Sequence, residues 1–156
     1  MGNDLIFRKV EPGDIEFVAE NMRQADADEV MAANNDTPLS ALLLSVEKSH
    51  ESVTVTDTEG TPLVIFGIRH KTLLTDDSAI IWMLGCDEAL KHSKSFMVYT
   101  PKVLEIWLKQ YKMLENYVHV GNKVSVAWLK RLGFTLEDPV IFPNTGECFM
   151  HFFMEG

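Results

Sequence analysis

Apolar residues recur along the chain with two periods, and the switches between them predict an order of elements. Leu5 to Val10 reads as a first strand. Glu11-Pro12-Gly13-Asp14 then turns the chain, with Asp14 as N-cap of a helix whose Ile15, Val18 and Met22 share one face. Thr37 followed by Pro38 predicts a second helix, with a capping hydroxyl, proline at the first helical position, and Leu39, Leu42, Leu43 and Val46 on one face. From Ser52 the period drops to two. Val53 and Val55 alternate with polar neighbours, Asp57-Thr58-Glu59-Gly60 turns, and Pro62 to His70 returns as the other arm of a β-hairpin. Ala79-Ile80-Ile81-Trp82-Met83-Leu84 is apolar without interruption, which suits a central strand covered on both faces.

A polar segment, Gly85 to Ser95, leads to a long helix with Val103, Trp107, Leu108, Tyr111 and Leu114 at three- and four-residue spacing. Pro101 leaves two starts open: near Ser93 with a kink, or at a Thr100 cap with Pro101 in the first turn. Asn116 to Val120 is the next strand. Asn122 caps a short helix that carries Trp128, Leu129 and Leu132, has Lys130 and Arg131 in its last turn and stops at Gly133. Phe134 to Glu137 and Glu147 to Met154, separated by Pro139, Pro143 and Gly146, close the chain as paired strands. The expected order is a strand, two helices, three strands, a helix, a strand, a helix and two strands. Phe149, Phe152 and Phe153 form an aromatic stripe, read first as core and otherwise as an assembly surface.

The chain has 156 residues and a net charge of -9, with 23 acidic against 14 basic side chains. This argues against nucleic acid as main ligand, because phosphate-backbone binding runs on Lys and Arg. No apolar run approaches the roughly 18 to 20 residues of a membrane span, and the Met1 region lacks the apolar core of a secretion signal. Two cysteines make no disulfide framework, so an intracellular setting is expected. No linker or repeat divides the chain, and charge is scattered apart from an acidic stretch at Asp26, Asp28 and Glu29; a single domain over 1–156 is expected. The five histidines show neither H-x-x-x-H nor C-x-x-C spacing, so no metal is inferred.

The element order resembles the GNAT superfamily of acetyl-CoA-dependent N-acetyltransferases. Asn122…Leu132-Gly133-Phe134 is similar to its asparagine-capped helix ending in Gly-Phe. Narrower wording lies in Met22-Arg23-Gln24-Ala25-Asp26-Ala27-Asp28-Glu29-Val30, in Ile81-Trp82-Met83-Leu84-Gly85, in His92-Ser93-Lys94-Ser95-Phe96, and in Asn116-Tyr117-Val118…Trp128-Leu129-Lys130-Arg131-Leu132-Gly133-Phe134. These runs resemble the GNAT-like proteins of short-tailed bacteriophages, a group that includes an internal virion or virion-assembly protein. The resemblance implies an α/β (α+β) fold: a mixed, mostly antiparallel central sheet of six to seven strands flanked by about four helices.

It also implies a site, with acetyl-CoA or CoA as the only cofactor. GNAT enzymes follow the central strand with Q/R-x-x-G-x-G/A, whose amides and helix N-terminus hold the pyrophosphate, glycine leaving room for the phosphates. Here that stretch is Lys91-His92-Ser93-Lys94-Ser95-Phe96, with Lys94 and Phe96 where small residues belong. Either Lys91, Ser93, Lys94 and Ser95 hold a phosphate by charge and hydroxyl donors, or this is a solvated turn with Phe96 filling the cofactor's space. Leu84, Gly85 and Asn122 complete the implied cofactor set. Many GNAT enzymes place a proton-donating tyrosine seven residues after the capping asparagine; here that position is Leu129. Candidate bases are Asp87 and Glu88, then Asp28 and Glu29; His119 is base, ligand or a structural strand residue. Cys86 invites a nucleophile reading with His92 or His119, against burial as the plainer one; Cys148 has the same plain reading.

Two functions follow. One is a phage GNAT-like protein with a degenerate loop, acting by contacts with virion or assembly proteins in the host cytoplasm or the particle. The other is an N-acetyltransferase of a host or phage amine. The sequence leaves the oligomeric state open.

Overall fold

The computed structural model describes residues 4–72 and 77–156. Its elements are β1 (Ile6–Lys9), α1 (Asp14–Glu20), α2 (Gln24–Asn34), α3 (Pro38–Lys48), β2 (Glu51–Thr56), β3 (Pro62–His70) and β4 (Ser78–Gly85). A 3-10 helix (Asp87–His92) then leads into α4 (Ser93–Leu108), followed by β5 (Met113–His119), α5 (Lys123–Leu132), β6 (Thr135–Leu136), β7 (Val140–Ile141) and β8 (Cys148–Glu155). The strands form one sheet in the order β1-β2-β3-β4-β5-β8-β6, with β7 also on β8. Every pairing is antiparallel except β4 with β5.

The expected mixed sheet is there, with one strand more than expected, the two-residue β7. The described residues also hold a helix that the pattern missed, α2, which follows α1 after a short break and carries no apolar stripe to announce it. The continuous apolar run is β4, in the middle of the sheet. Its Ala79 and Ile81 join α4 residues Phe96, Leu104 and Trp107 on one face, while Leu84 joins Val18 of α1 and Leu42 of α3 on the other. Two helical layers therefore cover opposite faces, α4 and α5 on one and α1 and α3 on the other.

Local signals settle most boundaries. Thr37 accepts the Ser40 N–H at 3.2 Å with Pro38 behind it, and Asn122 accepts the Ser125 N–H, while Gly133 ends α5 at φ 100°. α4 begins at Ser93 with Pro101 inside it, the first of the two starts left open. Asp14 is not the N-cap: Gly13 holds that position at φ 93°, and Asp14 is buried one residue in. Its carboxylate accepts from Arg8 at 2.6 and 3.0 Å, from the Glu11 N–H at 2.8 Å and from Thr54 Oγ at 2.8 Å, tying β1, α1 and β2 together. Burial raises its pKa, and these donors, Arg8 above all, more than offset that and hold it below the ordinary carboxylate range. Of the aromatic stripe, Phe149 and Phe152 are buried and Phe153 is half-buried against His151.

Candidate functional site

Among the described residues β4 and β5 pair only at Ser78↔Met113, Ala79↔Leu114 and Ile80↔Glu115, then part. β4 stays on β3 as far as Gly85 and β5 stays on β8 as far as His119, so a wedge opens between them. Around it lies a cavity of about 780 Å³, lined by Ile81, Met83, Phe96, Tyr117, Trp128 and Phe149 among others. Peptide groups alternate in direction along a strand. Cys86 donates to Leu63 and Lys71 to Ser78, so the even-numbered residues of β4 face β3 and the odd ones, Ile81, Met83 and Gly85, face the wedge. By the same alternation Tyr117 and His119 face it from β5, since Val120 donates to Cys148 and the Lys112 carbonyl accepts from Gly156, which sets the even-numbered residues toward β8.

Groups that part in this way leave donors and acceptors without a ladder partner, and buried ones need another. The protein supplies several of them from its own residues. At the apex Asn116 Nδ2 donates to the Ile81 carbonyl at 2.6 Å, and its Oδ1 accepts the Tyr117 N–H at 2.8 Å. At the mouth α2 takes over. Asp26 Oδ2 accepts the Gly85 N–H at 3.0 Å, Glu29 Oε1 accepts the His119 N–H at 2.7 Å, and the Arg23 N–H donates to the Gly85 carbonyl at 2.8 Å.

The mouth is also a charge network. Arg23 binds Asp26 Oδ1 at 2.6 Å and reaches Asn122 Oδ1 at 3.3 Å and Ser125 Oγ at 3.2 Å. Asn122 Nδ2 donates to Asp26 at 3.1 Å and to Glu29 at 3.5 Å, so the cap of α5 also ties that helix to α2. His119 turns its ring to Glu147, 2.9 Å from Nε2. Burial pushes the Glu29 carboxyl up to about 7; the His119 N–H and the Asn122 amide oppose this, and the Asp26 charge adds to it.

The phosphate loop is closed as well. The 3-10 helix runs directly into α4, and the Ala89 and Ser93 N–H groups are spent on the Cys86 and Leu90 carbonyls. Asp4 sits against the start of α4, its carboxylate bonded to His92 Nδ1 at 2.7 Å and to the Ser95 hydroxyl. These two bonds, Ser95 first, hold the Asp4 pKa below its ordinary value. Lys91 pairs with Glu88 at 3.0 Å in solvent, Ser93 and Lys94 are exposed, and Phe96 is buried edge-on against Trp128. A pyrophosphate needs free amides and room, and the residues present do not fit it: the Ser93 amide is used, an aspartate occupies the approach, and Phe96 is buried behind it.

The expected site residues fall into two groups. Gly85, Asn122, Glu29 and His119 meet at the mouth, with Leu84 buried behind Gly85. Asp87 and Glu88 lie exposed on the 3-10 helix, and Asp28 is exposed on α2, bonded by Gln24. Leu129 packs into the core beside Trp128. Cys86 is buried, its thiol pushed up to about 11 by burial and by the charges of Asp87, Asp26 and Glu88, the opposite of what a nucleophile needs. Sequence reasoning missed Arg23 and Asp26 as site residues. The signal present was the acidic run itself, in which Asp26 and Glu29 stand one helical turn apart.

The fold is that of the GNAT acetyltransferases. A GCN5-related N-acetyltransferase from Kribbella flavida is 18% identical, with 98% of each chain covered and a TM-score of 0.73. A probable GNAT-family acetyltransferase from Chromobacterium violaceum is 15% identical over 99% of this chain and 84% of its own, at 0.72. A Vibrio cholerae spermidine N-acetyltransferase, solved with CoA and spermine, is 15% identical over 97% and 95%, at 0.67. No curated protein matches the sequence. The family model described as bacteriophage T7, probable scaffold protein Gp13, matches residues 52–139, more than half of the chain. The chain belongs to that phage family, carried on a GNAT fold.

Proposed function

We propose that this protein acts in virion assembly through contacts with other phage proteins, and that its wedge is a structural joint rather than a cofactor site. The observation that carries this reading is that the splayed ends of β4 and β5 are bonded to α2, Gly85 to Asp26 and His119 to Glu29, where a bound cofactor would need free backbone groups. The assembly role is drawn from the family's description as scaffold. The place of work is the host cytoplasm during assembly, or the particle itself.

Calorimetric and thermal-shift titration with acetyl-CoA, with CoA and ATP as controls, tests it. A ligand of the native state adds roughly 2.7 kcal/mol at a hundredfold excess over its dissociation constant. The reading expects no saturable shift, and expects the protein to sediment with assembly intermediates from infected cells. A CoA-specific shift would move the reading to an N-acetyltransferase of a host or phage amine, for which Glu29, facing the cavity with its pKa near 7, is the supporting observation.

A further inference from the structure

The two helical layers differ in charge. α1, α2 and α3 carry seven acidic side chains and one basic, whereas α4 and α5 carry five basic and one acidic. Scattered charge along the sequence thus becomes two opposed faces in the fold. Asp14 and Asp26 are buried against Arg8 and Arg23, and Glu29 is turned to the β5 backbone. Glu16, Glu20, Asp28 and Glu47 are left exposed on one side, with Lys48 as the basic residue among them. On the other, Lys94, Lys102, Lys123, Lys130 and Arg131 of α4 and α5 are exposed beside Glu105, with Asp87 and Glu88 exposed on the 3-10 helix that leads into α4. Each face also holds large apolar side chains in water: Leu39, Leu43 and Leu44 on α3 at 42 to 47%, and Val98, Ile106 and Val124 on α4 and α5 at 50 to 57%.

We infer that copies of this chain stack head to tail, the acidic α1–α3 face of one on the basic α4–α5 face of the next. The chain itself supplies both halves of the complement, opposite charge around apolar centres, so the occupant of each face is a second copy. The faces lie on opposite sides of the sheet, so the contact is heterologous and two copies do not exhaust it. The net charge of -9 repels copies at a distance, but beyond about 10 Å this is largely screened at 0.1 M salt, whereas facing side chains in contact are not. The stacking holds whether the protein assembles virions or transfers acetyl groups.

Sedimentation velocity of the whole chain over a concentration series decides it. In about 0.1 M salt the average mass is expected to rise at least twofold with concentration, and to return to that of a monomer in about 1 M salt. A monomer throughout, or association unchanged by salt, overturns the inference. Two charge-reversed proteins give a second arm: K102E/K123E/K130E makes both faces acidic, and E16K/E20K/E47K makes both basic. Each alone is expected to stay monomeric with unchanged circular dichroism, and the equimolar mixture to associate. Failure of the mixture to associate, with both proteins folded, would exclude this mode of stacking, as would a mass rise in either variant alone equal to that of the parent.

Discussion

Asp26 and Glu29, one turn apart on α2, accept the end-of-strand N–H groups of two strands that have parted: Gly85 on β4 at 3.0 Å and His119 on β5 at 2.7 Å. One helix thus does for both strands what a third strand between them would have done. The surroundings of the two carboxylates differ. Asp26 faces the Arg23 guanidinium, whereas the Glu29 carboxyl is desolvated by burial, with the His119 N–H and the Asn122 amide as donors, the Asp26 carboxylate beside it and a weaker interaction with His119.

Glu29 makes stability depend on pH. Its pKa is about 7 in the fold against an ordinary 4.5, so between these values the folded protein holds more protons than the unfolded chain. Stability from this group is present below about pH 4.5, falls as pH rises through about 7, and is level above. Glu29→Gln keeps an acceptor for the His119 N–H and removes the buried charge. It is expected to be more stable than the parent at pH 8, by on the order of 1 to 3 kcal/mol, and little changed at pH 4.5. Urea unfolding of both proteins at the two pH values checks this; equal differences at both would exclude the assignment.

Asp26→Ala leaves the nearly buried Arg23 without its partner and the Gly85 N–H without an acceptor. The expected loss is about 3 kcal/mol or more, in the range for breaking a buried pair from one side. Asp26→Asn keeps the acceptor for Gly85 and should lose less. Equilibrium denaturation of both variants orders them.

Asn122 has two separate uses. Asn122→Asp keeps the cap on Ser125, loses the donor to Asp26 and adds a third carboxylate beside Asp26 and Glu29. Asn122→Ala loses cap and donor together, about 1 to 2 kcal/mol for the cap alone. The aspartate variant is expected to regain stability on moving from pH 8 to pH 5, and the alanine variant to do so no more than the parent, in thermal melts at the two pH values.

Gly67 lies under the Trp82 indole: a Cβ there would stand 2.7 Å from the ring, whose Nε1 is anchored on Ser49 Oγ at 2.7 Å. Gly67→Ala must push the ring away or bend β3, at an expected cost of about 1 to 3 kcal/mol. A shift in tryptophan emission should accompany the fall in melting temperature. An unshifted melt would mean that the ring moves freely.

The sequence made the frame legible where physical signals are local. Thr37-Pro38, Asn122 with Gly133, the alternation from Ser52, and the unbroken run into Leu84 each announce their element. α2 was not legible, because Asp26, Asp28 and Glu29 replace the apolar stripe and its fit is to the backbone of β4 and β5. Asp14 shows the same limit, since its cap position was read from neighbours and its true partners, Arg8 and Thr54, come from other elements. At the site, the sequence marks Asn122, Gly85, Glu29 and His119 one by one. That they meet depends on the parting of two strands, which no spacing encodes.

Asn116 presents a donor to one strand and an acceptor to the other, so its side-chain amide serves as a spare peptide unit at the wedge apex. This has a historical consequence. Any lineage that frees these backbone groups for a ligand must pass through forms in which the Ile81 carbonyl, the Gly85 N–H or the His119 N–H stands orphaned, each such step costing about 1 to 3 kcal/mol where the group is buried. Asn116, Asp26 and Glu29 together make the bonded state a ratchet, easier to enter by single substitutions than to leave.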